Sequence, residues 1–136
     1  MVHEWALAEA IVEYIDNLAL QKSTREIEYV TIRLGLLQSI DVEILDYALR
    51  EILEMKGLKI HSIKYEEVDV NLQCRRCGFK WSIDLNSLDE AVRESIHFIP
   101  EAIYSFFKCP NCGSRDFEIV SGRGVEIGEI KWIERS

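Results

Sequence analysis

Two short stretches decide how this chain folds: Cys74-Arg-Arg-Cys77-Gly78 and Cys109-Pro-Asn-Cys112-Gly113. Each is a Cys-x-x-Cys-Gly hook, in which the glycine lets the backbone turn tightly behind the two thiols. Two such hooks supply the four sulfur ligands of a tetrahedral structural zinc site. Two disulfides are the alternative, but a bridge inside one hook closes so small a loop that it constrains little. We therefore predict structural Zn(II) on these four cysteines, which are all the cysteine in the chain.

The composition of the chain is that of a folded domain. Its 136 residues are 48% hydrophobic and 29% charged, which allows one modest core and a small metal-stabilised module. The sequence opens without a signal-peptide pattern, and no apolar run is long enough to span a membrane. We expect a cytoplasmic protein with no membrane partner, in a compartment that keeps thiols reduced and available to a metal.

The charge of the chain argues against nucleic acid as a partner. The formal net charge is -8, and four thiolates around one Zn(II) add about two more negative charges. Nucleic-acid affinity depends largely on lysine and arginine meeting phosphates, and the pair Arg75-Arg76 is too small a patch to reverse the sign. An acidic surface suits a protein partner or a metal cation instead.

Hydrophobic periodicity outlines the body of the fold. It predicts a helix over Trp5–Lys22, a strand over Ile27–Leu34, a second helix to about Lys56 and a strand over Lys59–Leu72. Ser39 or Asp41 is the expected N-cap of the second helix, and Gly57 its stop. Glutamates on the polar helix faces, such as Glu9 and Glu51, are interpreted as solvating residues.

The segment between and after the hooks is longer than a minimal zinc ribbon needs. It predicts ribbon strands over 79–83 and 117–120, a short helical turn over 101–107 and a last strand over 125–133. Ser87-Leu88-Asp89-Glu90 matches a capping box and predicts a short helix to about Ile96. Gly122-Arg123-Gly124 is interpreted as a hinge out of the metal module.

Together these elements predict an α+β fold. A small three-stranded sheet packs with two helices in the order α-β-α-β…β, and a zinc-ribbon-like domain is inserted before the last strand. The predicted domains are residues 1–70 with 121–136, and residues 71–120. The last strand is expected to rejoin the body because two strands alone make a weak sheet. A monomer is favoured, and a dimer formed by domain swapping is the alternative.

Catalytic patterns are missing from the sequence. It has no phosphate-binding glycine loop, no nucleophile elbow and no cysteine outside the hooks. His61 falls within a predicted strand and is interpreted as structural. We predict that the protein is not an enzyme.

His3 is the candidate for a second metal site. A histidine close to a terminal amine can chelate with the amine, a deprotonated amide nitrogen and its imidazole, and such flat nitrogen sets suit square-planar Ni(II) or Cu(II). Glu4 can add a carboxylate or accept a hydrogen bond from a ligand. On this pattern alone, an N-terminal histidine is more often merely exposed to solvent.

Segments along the whole chain resemble the hydrogenase nickel-incorporation family HypA (HypA/HybF). They are Met1–Ala8, Val30–Gly35, both hooks, Ile96–Glu101 and Gly124–Ile130. The long stretch between the hooks resembles the archaeal branch. The resemblance implies a metallochaperone that delivers Ni(II) to the large subunit of [NiFe]-hydrogenase together with a HypB-type nucleotidase, some members also serving urease. It also implies nickel binding by His3 and Glu4 and structural zinc on the four cysteines.

Val2 departs from the Met-His-Glu opening of that family. If Met1 is removed, the amine of Val2 takes the family's position. If Met1 stays, the amine, two amides and the imidazole form a closed four-nitrogen site. A third alternative is that Met1 was added before a natural valine start. The sequence leaves these three open.

His97 is the candidate for a further nickel donor. If Val2 is the first residue, its amine, one amide and the imidazole of His3 leave one position of a square plane open, and His97 can fill it. Helix capping or packing beside Pro100 is the alternative. The predicted nickel-binding set is therefore Val2, His3, Glu4 and His97.

Two other function classes stay open from the sequence. One is a zinc-ribbon interaction or regulatory module without any nickel function. The other is an electron carrier with iron on the four cysteines, which the long helix-bearing spacer between the hooks disfavours.

Overall fold

The computed structural model describes residues 2–134, with the backbone alone at Val2. By their contacts these residues divide into two compact units. The first contains the residues up to Arg33, Ile40–Glu66 and the residues from Glu126, and the second contains Leu34–Ser39 and Glu67–Val125. Leu34–Ser39, which is predicted to belong to the first domain, groups with the second unit.

Ten helices and strands of the described chain are numbered in chain order. They are α1 (Val2–Lys22), β1 (Glu26–Gly35), α2 (Val42–Met55), β2 (Lys59–Val68), β3 (Val70–Cys74), β4 (Lys80–Ile83), α3 (Glu90–Phe98), α4 (Ile103–Phe106), β5 (Phe117–Ser121) and β6 (Val125–Trp132). Short 3-10 turns lie at Leu36–Gln38, Leu85–Ser87 and Pro100–Ala102. Within residues 2–134, no helix has both the length and the apolar composition that a bilayer crossing requires.

The first unit combines a three-stranded sheet, in the order β2-β1-β6, with the packed helix pair α1 and α2. Apolar side chains at helical spacing on both helices are buried, including Ala8, Val12, Ile15, Leu45 and Leu49. Asp41 caps α2, since its Oδ1 accepts the N–H of Ile44 at 3.2 Å. The last strand rejoins this sheet, and the predicted α+β class is confirmed.

The second unit is built around a separate antiparallel sheet in the order β4-β3-β5. One buried cluster joins this sheet to α3, α4 and the 3-10 turn at Leu36–Gln38. Its fully packed members are Leu37, Val70, Leu72, Leu85, Ile96, Ile103 and Phe117. Leu37 is 0% exposed in this cluster, which is the physical reason why its segment belongs to the second unit.

Two predicted boundaries were wrong. The single strand predicted over Lys59–Leu72 is two strands, because the chain leaves the first sheet at Val68 and enters the second at Val70. The helix predicted after Ser87 begins only at Glu90, because Ser87 is used in the preceding turn, where its hydroxyl donates to the carbonyl of Asp84 at 2.7 Å. A serine hydroxyl can bond to nearby backbone in this way in competition with helix formation.

Backbone segments cross closely at Gly35 and Gly122 within the second unit. The N–H of Gly35 donates to the carbonyl of Gly124 at 2.8 Å, and the N–H of Leu37 donates to the carbonyl of Gly122 at 2.9 Å. A Cβ on Gly35 would lie 2.3 Å from the carbonyl oxygen of Gly122. Residues 122–124, the predicted hinge, are thus held to Gly35 and Leu37 by backbone hydrogen bonds.

Candidate metal centres

The two cysteine hooks fold into the same turn. In each hook the N–H of the first cysteine donates to the carbonyl five residues later at 2.8 Å, and the glycine N–H donates back to the carbonyl of the first cysteine at 3.0 and 2.9 Å. Gly78 and Gly113 have φ values of +80° and +77°, a conformation that a side chain would disfavour. The repeated turn aims the two thiols of each hook in one direction.

The turns bring all four predicted zinc ligands together. The sulfur atoms of Cys74, Cys77, Cys109 and Cys112 lie within 4.8 Å of one another, and none is in a disulfide. The contacts between hooks, from Cys74 to Cys112 and from Cys77 to Cys109, are 3.6 Å each. A tetrahedron with Zn–S bonds of about 2.3 Å needs sulfur separations of about 3.8 Å, so the quartet fits zinc.

Hydrogen bonds to sulfur favour the thiolate form in the first hook. The side-chain amide of Asn111 donates to the sulfur of Cys77 at 3.5 Å. This bond and the N–H of Phe79 lower the pKa of Cys77 to about 6. The N–H of Cys77 in turn lies 3.4 Å from the sulfur of Cys74 and lowers the pKa of that thiol. Thiolates are the form that binds zinc, so these hydrogen bonds favour metal binding by the first hook. In the second hook the N–H of Ser114 acts to lower the pKa of Cys112, but partial desolvation and the sulfur contacts raise it to about 11.

His3 and Glu4 lie in the first turn of α1, in different surroundings. The side chain of His3 is exposed, whereas Glu4 is only 2% exposed and its Oε2 accepts the N–H of Asp41 at 3.2 Å. Burial acts to raise the pKa of Glu4, but the hydrogen bond from Asp41 and further hydrogen bonds lower it by more. Glu4 therefore stays ionised and connects the start of α1 to the N-cap of α2. The side chain of Val2 lies outside the described residues.

His97 is half-buried near the end of α3, and a hydrogen bond to a backbone carbonyl orients its ring. Its Nδ1 hydrogen-bonds the carbonyl oxygen of Gln38. A carbonyl oxygen can only accept, so Nδ1 carries the proton and the lone pair of the neutral ring lies on Nε2. A hydrogen bond of this kind from the remote nitrogen commonly orients histidines that bind metals.

A shallow pocket of about 210 Å³ lies beside His97. It is lined by Ser39, Glu90, Arg93, Glu94 and His97. The two carboxylates of this lining, Glu90 and Glu94, lie seven and three residues before His97, so helical spacing puts them on the same face of α3. In the part of the chain that the structure describes, however, the cysteine quartet is the group of possible ligands with metal-binding geometry. The remaining histidine, His61, lies in β2, with its Nε2 2.7 Å from a carboxylate oxygen of Glu26.

A family model described as hydrogenase/urease nickel incorporation, metallochaperone, HypA matches residues 2–132. The chain belongs to the HypA family. Proteins called hydrogenase maturation factor HypA from Pyrococcus abyssi and Thermococcus onnurineus are 42% and 40% identical over 132 residues, which cover 96% of this chain and 95% of each relative. A relative of the same name from Methanothermobacter thermautotrophicus is 28% identical over 130 residues, 96% of both chains.

The fold is shared with solved members of this family. The solution structure of the Ni metallochaperone HypA from Helicobacter pylori aligns with a TM-score of 0.63 over 97% of this chain and 98% of that chain. The sequence identity is 15%, so this likeness concerns the fold alone.

Family membership gives nickel its role, and the cysteine quartet indicates that of zinc. The family's function is nickel incorporation into hydrogenase and urease by a metallochaperone, so Ni(II) is the cargo of this chain and its function is delivery, as predicted, not catalysis. The four-sulfur cluster suits a structural Zn(II).

Sequence reasoning missed two partners of the candidate nickel donors. Gln38 holds His97 through its carbonyl, and Asp41 holds Glu4 through its N–H. Both contacts use backbone groups, which no pattern of side chains reveals. The sequence did identify Asp41 as a candidate helix N-cap, but not its contact with Glu4.

Proposed function

We propose that this chain binds one Ni(II) through the imidazole of His3 and the first nitrogen atoms of the chain, including that of Val2, and passes it to the large subunit of [NiFe]-hydrogenase. The observation that carries the proposal is the place of His3, exposed on the first turn of α1 directly before a buried residue. The buried carboxylate of Glu4 fixes that turn, so the imidazole is presented to solvent from an anchored position.

The start of a helix is also a suitable place for a backbone amide nitrogen to act as a ligand of Ni(II). The N–H groups of the first turn stand before the hydrogen-bond ladder of the helix begins, so the ladder does not depend on the N–H of His3. Glu4 adds negative charge beside the cation, either as a ligand or through the electrostatic field of its carboxylate. Amine, amide and imidazole must all lose protons to bind, so nickel affinity is expected to fall at low pH.

His97 is proposed as a further nickel donor. The hydrogen bond from its Nδ1 to Gln38 supports this role, because it leaves Nε2 as the nitrogen with the lone pair. The ring is held on a packed helix and not on a mobile loop, which reduces the entropy lost when a metal binds.

The proposal extends to partners and location. We place the chain in the cytoplasm, working with a HypB-type nucleotidase and serving the hydrogenase large subunit. A monomer is proposed, with a domain-swapped dimer as the alternative. Light scattering of the eluting peak in size-exclusion chromatography distinguishes the two by mass.

Nickel titration tests the donor set. Zinc-loaded protein whose N-terminus has been determined by intact mass is titrated with Ni(II) by calorimetry, and the absorption spectrum of the complex is recorded. We expect one Ni(II) per chain, with a square-planar spectrum. His3→Ala should abolish this binding, and His97→Ala should weaken it and shift the spectrum.

His61→Ala is the matched control, because it removes an imidazole from the first unit without touching a proposed donor. It should bind Ni(II) as the unaltered chain does. Unchanged affinity in His3→Ala would overturn the N-terminal site. Unchanged affinity and spectrum in His97→Ala would remove His97 from it.

A further inference from the structure

The four members of the cysteine quartet differ in their access to solvent. Cys74 and Cys109, the first cysteine of each hook, are 2% and 1% exposed. Cys77 and Cys112, the second cysteine of each hook, are both exposed. Oxidation of cysteine depends on the thiolate character and the exposure of the sulfur. The two second cysteines are therefore the part of the quartet that a soluble oxidant can reach.

Each exposed cysteine lies against the buried cysteine of the other hook. The sulfur of Cys112 is 3.6 Å from that of Cys74, and the sulfur of Cys77 is 3.6 Å from that of Cys109. Both pairs suit a two-step oxidation, in which the exposed thiolate is oxidised first and the buried thiolate closes a disulfide with it. A bridge between the hooks also closes a far longer loop than a bridge within one hook.

Hydrogen bonds to sulfur distinguish the two exposed cysteines. The sulfur of Cys77 accepts the side-chain amide of Asn111 at 3.5 Å and the N–H of Phe79. For the sulfur of Cys112 the donor outside the quartet is the N–H of Ser114, and no side-chain amide is found on it in the described part of the chain. In a zinc complex all four sulfurs are thiolates, and a thiolate stabilised by more hydrogen bonds is the weaker nucleophile. Cys112 should therefore react before Cys77.

We propose that the cysteine quartet is also a site of oxidation by hydrogen peroxide and other small hydroperoxides, at which Cys112 is oxidised first and Cys74 completes a disulfide with it. The thiolate of Cys112 attacks one peroxide oxygen and breaks the O–O bond, which leaves a sulfenic acid and one hydroxide ion. The thiolate of Cys74 then attacks that sulfur, forms the S–S bond and displaces a second hydroxide ion. The two sulfurs lose two electrons, which the two oxygen atoms of the peroxide take up.

The disulfide removes two of the four metal ligands. Cys77 and Cys109 remain, and two sulfurs do not complete a tetrahedral structural site. Because the binding free energy of a structural metal contributes to the folding of its unit, peroxide should release Zn(II) and destabilise the second unit. Thiols reduce a disulfide, so the change is a reversible switch. The inference does not depend on the nickel donor set.

Indiscriminate oxidation is the alternative, because any exposed thiolate can react with peroxide. It predicts a mixture of disulfides, including bridges within one hook, in proportions that do not depend on Asn111. The proposed order predicts one main first product. The two are distinguished by which cysteines are joined when the first disulfide forms.

The sequence allows the joined cysteines to be identified by tryptic mapping. Trypsin cleaves after Arg75 and thus separates Cys74 from Cys77, and it releases residues 109–115 as a single peptide. Fragmentation of that peptide in the mass spectrometer determines whether its first or its second cysteine carries the bridge.

The test treats the zinc-loaded full chain with equimolar hydrogen peroxide. Zinc release is followed with a chromogenic chelator, and samples taken over time are alkylated with iodoacetamide and mapped. We expect the Cys74–Cys112 disulfide to exceed the Cys77–Cys109 disulfide about fivefold among the first products, given how nucleophilicity varies between thiolates. It should form at the rate at which zinc is released, and dithiothreitol with added Zn(II) should restore the starting state.

Asn111→Ala tests the order without removing a zinc ligand. Loss of the side-chain amide should make Cys77 more reactive and bring the two disulfides to about equal amounts, a change of about fivefold in their ratio. Asn86→Ala is the matched control, because it removes an exposed asparagine amide from the second unit away from the sulfurs and should leave the ratio unchanged. A variant that only weakens zinc binding would release zinc faster at an unchanged ratio.

Three results would overturn the inference. The first is that the unaltered chain first forms a disulfide within one hook, or a mixture with no main product. The second is that Asn111→Ala gives the same ratio of disulfides as the unaltered chain. The third is that zinc and all four thiols survive an excess of peroxide.

Discussion

Replacing Gly35 with alanine is expected to destabilise the second unit by steric conflict alone. Gly35 has φ -68° and ψ 131°, which any residue adopts, so alanine brings no backbone strain. Its Cβ, however, would lie 2.3 Å from the carbonyl oxygen and 2.4 Å from the carbonyl carbon of Gly122. Both obstacles are backbone atoms, so the two crossing segments must separate.

The loss of unfolding free energy can be estimated from the contacts that this separation disturbs. Overpacking a site by one methyl group costs about 1–3 kcal/mol. Separation also stretches the hydrogen bonds from Gly35 to Gly124 and from Leu37 to Gly122, each worth about 0.5–1.5 kcal/mol. Alanine recovers about 0.4–1 kcal/mol by restricting the unfolded chain. The net loss of unfolding free energy should be about 2–4 kcal/mol.

The assay needs a reporter inside the second unit. Trp81 is one of three tryptophans, so Trp5→Phe and Trp132→Phe leave it as the single tryptophan. Urea unfolding of zinc-loaded protein is then followed by its fluorescence. Gly124→Ala is the matched control, because that glycine has φ +77° but no neighbouring atom within 4 Å of the position that a methyl group would take, and it should cost about 1 kcal/mol. If Gly35→Ala is no less stable than this control, the steric argument is wrong.

Three further perturbations have clear expected outcomes. Removing zinc with a chelator should unfold the second unit and shift the emission of Trp81 to the red, while most of the circular-dichroism signal of α1 and α2 persists; an unchanged Trp81 spectrum would contradict this. Glu4→Ala should lower the unfolding free energy by about 1–3 kcal/mol, because it removes the hydrogen bond to Asp41 and leaves a space where the buried side chain was, and Glu4→Gln should restore part of the loss in urea titrations. Burial and the hydrogen bond to Asp46 raise the pKa of Tyr65, so the unfolded chain ionises first and stability should fall as the pH rises through about 10. Unfolding curves between about pH 9 and 11 should show a smaller fall for Tyr65→Phe.

The fold class could be predicted because its signals are local. Helical spacing in the first half, strand alternation around Val30 and the cap at Asp41 each depend on a few neighbouring residues. A helix boundary was predicted wrongly where a tertiary or turn contact used the residue that gives the local signal. Ser87 has a capping sequence, but its hydroxyl is used by the turn at Asp84.

The segment Leu34–Ser39 shows what a local pattern cannot contain. Its sequence gives only the end of the predicted strand. It groups with the second unit because Leu37 fills a core made by residues far along the chain. Contacts of this kind have no sequence period, so no window of residues reveals them.

The sequence by itself determined the zinc centre, because two Cys-x-x-Cys-Gly hooks carry both the ligands and the turns that aim them. It also determined the family and hence the nickel cargo, because matching segments run along the whole chain. Only the tertiary structure decided how the candidate nickel donors are held: the N–H of Asp41 on Glu4 and the carbonyl of Gln38 on His97. Every residue has these backbone groups, so their partners are fixed by the fold and not by the identity of a side chain.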